Sequence, residues 1–212
     1  MSAPTDDAAE GPGYDTLVGP VTSELKVQRS RFLAEVHPIV DEQEARSIVA
    51  AAAKQYHDAR HVCFAWRLGP VHARVEHRSD AGEPSGSAGE PILNALRQAE
   101  LSDTVAVVVR WFGGVKLGTG GLGRAYRDTV AAALDGAAKR RIHLGGELEI
   151  IFPYSLQKTV NHHLEQHGGR RVSEVYADDV VWRVWLPSHT LDAFDAAVTE
   201  AGQGRLQTKT PE

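Results

Sequence analysis

The sequence is poor in sulphur and has no long apolar run. Cys63 is the single cysteine among 212 residues, which excludes an internal disulfide. It stands in an apolar segment, so we interpret it as a small buried hydrophobe rather than a reactive thiol. A chain without disulfides is typical of the cytosol. No apolar stretch reaches the ~18 residues of a membrane span, and the acidic first residues lack the apolar core of a signal peptide. These absences predict a cytoplasmic protein with no membrane partner.

A basic excess, which nucleic-acid-binding proteins often have, is also missing. The chain carries 23 Lys and Arg against 28 Asp and Glu, a formal net charge of −5. The distribution is uneven, because residues 17–146 carry more bases than acids and residues 147–212 carry more acids than bases. A surface for a polyanion is therefore expected in the middle of the chain.

Turn residues and hydrophobic periodicity divide the chain into three parts. Residues 1–16 are rich in Pro, Gly, Ala and Asp and predict a disordered acidic tail. Residues 17–145 alternate strand and helix patterns and predict a first domain. The predicted strands are 21–27, 31–40, 59–69, 71–78 and 104–112, and the predicted helices are 41–57, 91–101 and 122–141.

The stretch 146–212 predicts a second domain after the break at Gly145 and Gly146. Its patterns follow the order β-α-β-β-α-β, which is the ferredoxin-like pattern. The whole chain is therefore expected to have an α+β fold.

Between the strand at 104–112 and the following helix lies a glycine-rich stretch, WFGGVKLGTGGLGRAYR. Glycines let backbone N–H groups approach an anion, and the start of a helix favours negative charge. The side chains and glycines predicted to contact phosphate are Arg78, Arg110, Gly113, Gly114, Lys116, Gly118, Gly120, Gly121, Gly123, Arg124 and Arg127. The alternative is a tight structural turn beside a solvated basic face.

Two familiar nucleotide motifs do not fit this stretch. Gly118, Gly120 and Gly123 match G-x-G-x-x-G, but a dinucleotide fingerprint has its first glycine directly after the strand, and five residues intervene here. The P-loop pattern fails because Lys116 precedes Gly118 instead of following the glycines.

A second polar loop precedes the helix at 91–101. Its candidate side chains are Asp80, Glu83, Ser85, Ser87 and Glu90. Carboxylates and hydroxyls in one loop could serve a metal ion or a proton transfer, but such residues commonly form turns and helix caps. Ser87 lacks the G-x-S-x-G elbow of serine hydrolases. We predict neither a metal ion nor a cofactor.

Together the two loops, DAGEPSGSAGEPIL and VVRWFGGVKLGTGGLGRAY, resemble the signature of the IMPACT family, and the segment ARHVCFAWRLG resembles the part that precedes them there. The resemblance covers roughly residues 20–140. The family more often has an acid where Ala81 stands here, which argues against a metal site in the first of these loops.

The resemblance implies a first domain with the fold of ribosomal protein S5 domain 2, followed by a ferredoxin-like domain similar to modules of an elongation factor. It also implies a role linked to translation. Eukaryotic members bind a large activator of a kinase that acts on a translation initiation factor, partly through an extra domain that this sequence lacks.

Our leading hypothesis is a non-enzymatic regulatory protein that binds RNA or the ribosome through the basic glycine-rich stretch. Two alternatives stay open at this point. One is a protein-docking module, and the other is an enzyme that acts on a nucleotide or another phosphorylated small molecule. Fold analogy supports each of them without deciding among them.

Overall fold

A computed structural model describes residues 13–211, which form two compact units. The first unit is Tyr14–Ile142, and the second contains the residues from His143 onward. Residues 1–12, most of the predicted tail, lie outside the described range. Within that range, no helix is long and apolar enough to cross a membrane.

Strands and helices alternate along the first unit. Its strands are β1 (Gly13–Leu17), β2 (Val21–Val27), β3 (Ser30–Pro38), β4 (His61–Leu68), β5 (Val75–Ser79), β6 (Thr104–Trp111) and β7 (Lys139–His143). Its helices are α1 (Glu42–Gln55), α2 (Gly89–Gln98) and α3 (Gly118–Leu134). The expected mixture of sheets and helices is confirmed.

A five-stranded antiparallel sheet, in the order β2-β3-β6-β4-β5, forms the middle layer of this unit. The central strand β6 is buried from Thr104 to Arg110, as its valine-rich sequence predicts. Helices α2 and α3 cover one face, where the ring of Tyr126 packs edge-on against Phe32 and Ile92 belongs to the same core. Helix α1 covers the other face. Strands β1 and β7 pair in a separate two-stranded sheet.

One end of the five-stranded sheet gathers four chain segments. Strand β6 ends there, and β3 and β4 begin there because both run antiparallel to β6. Strand β5 also ends there, since it is antiparallel to β4. The two loops singled out in the sequence follow β5 and β6, so the topology brings them to the same end of the sheet.

In the second unit, β8 (Gly145–Phe152), α4 (Gln157–Gln166), β9 (Arg170–Tyr176), β10 (Val180–Pro187), α5 (Leu191–Gly202) and β11 (Gln207–Lys209) follow one another. The strands form an antiparallel sheet in the order β11-β8-β10-β9. Alternate residues of β8 and β10 are buried with Val160, Leu164 and Phe194 of the helices. The predicted order of elements, β-α-β-β-α-β, is present.

Two local predictions in the first unit are wrong. Residues 13–16, assigned to the tail, belong to β1, which pairs with β7. The helix expected to reach Arg141 ends at Leu134, because Gly136 turns the chain with a φ of +68°. The cations of residues 139–141 therefore lie on strand β7 and do not stabilise the end of a helix.

The strand predicted from residue 71 begins later. Val71–Ala73 form a turn of 3₁₀ helix after Pro70, and β5 starts at Val75. Alternating apolar residues suggested a strand, but the three-residue turn repositions the chain before it pairs with β4.

Candidate functional site

The two loops contact each other directly at the end of the sheet. We call residues 80–90 the acidic loop and residues 112–123 the glycine segment. A Cβ on Gly123 of the glycine segment would lie 4.0 Å from the carbonyl oxygen of Ser87 in the acidic loop. A Cβ on Gly123 would lie 3.4 Å from Cγ of Pro91, just after that loop. The sequence could not show this proximity, which makes the two loops parts of one site.

Asp80 organises the acidic loop. Its carboxylate accepts hydrogen bonds from the backbone N–H groups of Gly86 at 2.8 Å, Ala88 at 2.9 Å and Gly89 at 2.8 Å. Burial acts to raise the pKa of Asp80, but these three donors outweigh it and hold the pKa below its usual value. The loop's own backbone and the start of α2 therefore occupy this carboxylate.

Glu83 points inward and ties the acidic loop to β6 and α3. Only 4% of its side chain is exposed. Its Oε1 accepts hydrogen bonds from Arg110 Nη1 at 2.6 Å and from the hydroxyl of Tyr126 at 2.9 Å. His61 Nε2 lies 4.0 Å from the same oxygen. We call these four residues the Glu83 cluster. Burial raises the pKa of Tyr126, so the phenol stays protonated and serves as the donor.

Arg110 is thus not part of an exposed basic surface, although the sequence predicted a phosphate contact for it. Its side chain is 6% exposed and its charge is paired with Glu83. The guanidinium carbon lies 5.4 Å from the ring centres of both Phe32 and Phe112. The reason is its position, because residue 110 still belongs to the buried central strand.

Cys63 lies beside the Glu83 cluster. Its Sγ is 3.0 Å from the carbonyl oxygen of Asp80 and 3.4 Å from the hydroxyl oxygen of Tyr126. The residue has no exposed surface, and burial raises the pKa of the thiol to about 12. The thiol is therefore protonated at neutral pH and closed to reagents.

We expect the folded protein to resist alkylation of Cys63 by iodoacetamide at neutral pH and to be labelled fully in denaturant. The thiolate is the reacting species, and both its fraction and its access are low in the folded state. Mass spectrometry of the labelled chain measures this. Fast labelling of the native protein would show that the thiol is open and reactive.

Other members of the acidic loop have structural partners as well. Ser87 is buried, and its hydroxyl donates to the carbonyl oxygen of Pro84 at 2.6 Å. Glu90 forms ion pairs with Arg78 at 2.7 Å and with Arg97 at 2.9 Å. Ser85 is exposed. Across the described range, no three His, Cys, Asp or Glu side chains converge as metal ligands.

The glycine segment divides into a loop and a helical part. Gly113 and Gly114 follow β6, and a Cβ on Gly113 would lie 2.0 Å from the carbonyl oxygen of Arg29. The remaining glycines, Gly118, Gly120, Gly121 and Gly123, lie in the first turns of α3. The prediction that the helix begins at residue 122 is wrong, because low helix propensity is a weak bias that tertiary packing overrides.

Exposed cations surround this segment. We call Arg29, Lys116, Arg124 and Arg127 the basic rim. Among the described residues, no carboxylate lies within ion-pair distance of Arg29, Lys116 or Arg124, and Arg127 pairs with its neighbour Asp128 at the surface. Helix α3 begins without a side-chain cap, so its first N–H groups have no side-chain acceptor.

Arg29 is the member of the rim that the sequence did not indicate. It lies in the turn between β2 and β3 with a φ of +71°, and its backbone packs against Gly113. No motif marks this position, because the contact depends on the pairing of β3 with β6 rather than on neighbouring residues. His61 and Tyr126 were missed as partners of Glu83 for the same reason.

A groove of about 340 Å³ runs between α2 and α3 beside the basic rim. It is lined by Pro91, Asn94, Arg97, Gln98, Gly120, Gly123, Arg124 and Arg127. Phe112, which follows β6, exposes 45% of its surface. The site thus combines exposed cations, accessible backbone N–H groups and a solvent-facing aromatic ring, while its carboxylates are paired or hydrogen-bonded.

Comparison with known proteins places the chain in a family. The model of the Impact N-terminal domain matches residues 28–134, and the model of a domain of unknown function (DUF1949) matches residues 150–205. The first match spans the four segments at the end of the sheet, including both loops of the site.

Similar proteins match along nearly the whole chain. The chain is 31% identical to IMPACT family member YvyE of Bacillus subtilis, over 94% of this chain and 91% of that protein. It is 33% identical to IMPACT family member YigZ of Escherichia coli, over 89% of this chain and 93% of that protein. The crystal structure of a hypothetical protein shares 31% identity at a TM-score of 0.65, over 95% of this chain and 98% of that one. Two family models in chain order and full-length relatives above 30% identity show that this chain belongs to the IMPACT family.

Proposed function

We propose that this protein is a cytoplasmic, translation-linked regulatory protein that binds RNA or the ribosome through the basic rim and the glycine segment. Arg29, Lys116, Arg124 and Arg127 would contact phosphate, and the N–H groups at the start of α3 would add hydrogen bonds. Arg110 does not take part, because it is buried against Glu83. Arg78 and Arg127 are both half-exposed, and each would exchange a surface ion pair, with Glu90 and Asp128 respectively, for a phosphate.

The distribution of charged side chains at the end of the five-stranded sheet supports this proposal. At this end of the sheet the cations of the basic rim are exposed, whereas the carboxylates of the acidic loop have protein partners. Asp80 is capped by backbone donors, and Glu83 is buried. A polyanion approaching this end meets positive charge and helix N–H groups without repulsion from free carboxylates.

The fold labels suggested by the resemblance are part of the same proposal. We assign the first unit, Tyr14–Ile142, to an S5 domain 2-like domain and the described residues of the second unit to a ferredoxin-like domain. Support for the second assignment comes from the element order together with the sheet order β11-β8-β10-β9.

The enzyme alternative gains little support from the acidic loop. A kinase-like reaction would need Asp80, Glu83 or Glu90 free to handle a metal ion or a proton. Each of these carboxylates instead has protein partners, and Glu83 is enclosed. A nucleotide–magnesium titration still serves as a direct test of that alternative.

We expect a fluorescent structured RNA to bind with steep salt dependence. If about four phosphates are neutralised, the log–log slope of affinity against salt should be about −3 to −4. The variant Lys116→Ala/Arg124→Ala should flatten the slope by about 2 and weaken binding strongly at low salt. Fluorescence anisotropy measures both quantities.

Lys139→Ala/Arg140→Ala is the matched control for this experiment. These two exposed cations belong to the same unit but follow the far end of α3, a helix of 17 residues and thus about 25 Å long. Their removal should leave affinity nearly unchanged. No RNA binding at low salt, or equal losses in both variants, would overturn the proposal. Binding of ATP with magnesium but not of RNA would favour the enzyme. No binding in either titration would favour protein docking.

A further inference from the structure

The second unit contains a groove that the proposed function does not use. It has a volume of about 830 Å³ and lies between α4 and β9, with Trp182 of β10 at its base. Its lining residues are Tyr154, Ser155, Gln157, Lys158, Asn161, His162, Glu165, Arg171 and Trp182. A volume of this size accommodates a small metabolite.

Helix α4 and strand β9 form the two walls of the groove, and each contributes a cationic side chain. Lys158, His162 and Glu165 follow the i, i+4, i+7 spacing of one helix face on α4. Arg171 projects from β9, and its guanidinium carbon lies 4.8 Å from the ring centre of Trp182. Cations from two different elements therefore face the same space.

The acids in and beside the groove already have donors. Asn161 donates to Glu165 at 2.7 Å, and Arg171 donates to Glu174 at 2.8 Å through one of its nitrogens. Within the described residues, Lys158 and Ser155 have no such partner. The groups left for a ligand are thus mainly hydrogen-bond donors, and they favour an anion.

Trp182 lies at the base of the groove, where Arg171 covers its ring. The residue is 1% exposed, and its indole nitrogen has no acceptor among the described residues. Tyr154, Ser155 and Gln157 line the groove along the 3₁₀ turn Tyr154–Leu156 that leads directly into α4, where the N–H of Gln157 donates to the carbonyl oxygen of Tyr154.

We propose that this groove binds a small molecule that carries a phosphate monoester. The ammonium of Lys158, the free N–H groups of Arg171 and the hydroxyl of Ser155 together supply more donors than the two oxygens of a carboxylate can accept. A phosphate monoester offers three terminal oxygens and a charge near −2. The site is independent of the RNA surface proposed for the first unit.

The experiment uses the full chain and inorganic phosphate as the probe. The sequence has four tryptophans, so the indole N–H region of a ¹H–¹⁵N spectrum is simple, and Trp182→Phe assigns the relevant signal. At constant ionic strength, phosphate should shift the Trp182 signal in a saturable way at millimolar concentrations, because the probe lacks the rest of the ligand. The signals of Trp66 and Trp111 in the first unit should stay in place.

Lys158→Ala, which changes one exposed helix residue, should weaken this response at least fivefold. Lys209→Ala is the matched control, since Lys209 is an exposed cation of the same unit that pairs with Glu149 and does not line the groove. A Trp182 signal that does not move with phosphate overturns the proposal. An equal response to citrate overturns the phosphate class, and a response to an RNA oligonucleotide alone overturns the assignment to a small molecule.

Discussion

Replacing Glu83 with alanine should lower the free energy of unfolding of the first unit by about 3–5 kcal/mol. The change removes the one carboxylate that compensates the buried charge of Arg110, and it leaves the hydroxyl of Tyr126 without its acceptor. Breaking one partner of a buried ion pair is far more costly than losing a surface pair, which is worth at most about 1 kcal/mol. The thiol of Cys63 provides the measurement, because its labelling as a function of urea reports on this unit alone.

Two further variants show whether the loss of stability comes from the broken ion pair or from general damage to the acidic loop. Glu83→Ala/Arg110→Met removes both charges and should recover a large part of the loss, because an apolar side chain needs no compensation in the core. Arg78→Ala removes the ion pair between Arg78 and Glu90. The Arg78 side chain is 53% exposed, so this variant should lower the free energy of unfolding by about 1 kcal/mol or less. A cost for Glu83→Ala as small as that of Arg78→Ala would show that the cluster does not hold the site together.

Gly113→Ala should destabilise the first unit by about 3 kcal/mol, at the upper end of overpacking costs. The added Cβ would lie 2.0 Å from the carbonyl oxygen of Arg29 and 2.5 Å from the backbone nitrogen of Ser30. Both are main-chain atoms, one in the turn before β3 and one at its first residue, so no rotamer change can relieve the clash. The chain must move at the point where the turn between β2 and β3 meets the glycine segment. Urea unfolding followed by Cys63 labelling measures the loss.

Gly120→Ala is the matched control within the same segment. Gly120 lies in helix α3, where the nearest atom to an added Cβ is Nη1 of Arg124 at 3.9 Å. Alanine should stabilise the helix by about 0.5–1 kcal/mol. The two substitutions add the same methyl group, and effects of the same sign would contradict the packing described at Gly113.

Local patterns predicted the elements of the fold well where one periodicity dominated. The valine-rich run of β6, the alternation of β10 and the start of α2 near Pro91 each agree with the structure. The patterns failed where a tertiary contact decided the outcome. Residues 139–143 carry charges that suit a helix end, yet pairing with β1 makes them a strand.

The sequence indicated the two loops of the candidate site, but it gave a wrong role to Arg110 and did not indicate Arg29. The sequence indicated both loops, because glycines and clustered carboxylates are visible one residue at a time. It could not show that Arg110 faces inward, since burial depends on the position of β6 at the centre of the sheet. It also could not indicate Arg29, which reaches the site only through the β3–β6 pairing.

The Glu83 cluster brings together residues that are far apart in the sequence. Its hydrogen bonds join residues 27 and 43 positions apart, and Arg110 also lies 3.5 Å from the hydroxyl of Ser30, 80 positions away. Such distant contacts close large loops and form only as the whole topology is assembled. A fragment that lacks β3, the acidic loop or β6 cannot form these contacts, so a nascent chain lacks the proposed site until all three have been synthesised. We therefore expect the proposed surface and the fold of this unit to form and to be lost in one cooperative step.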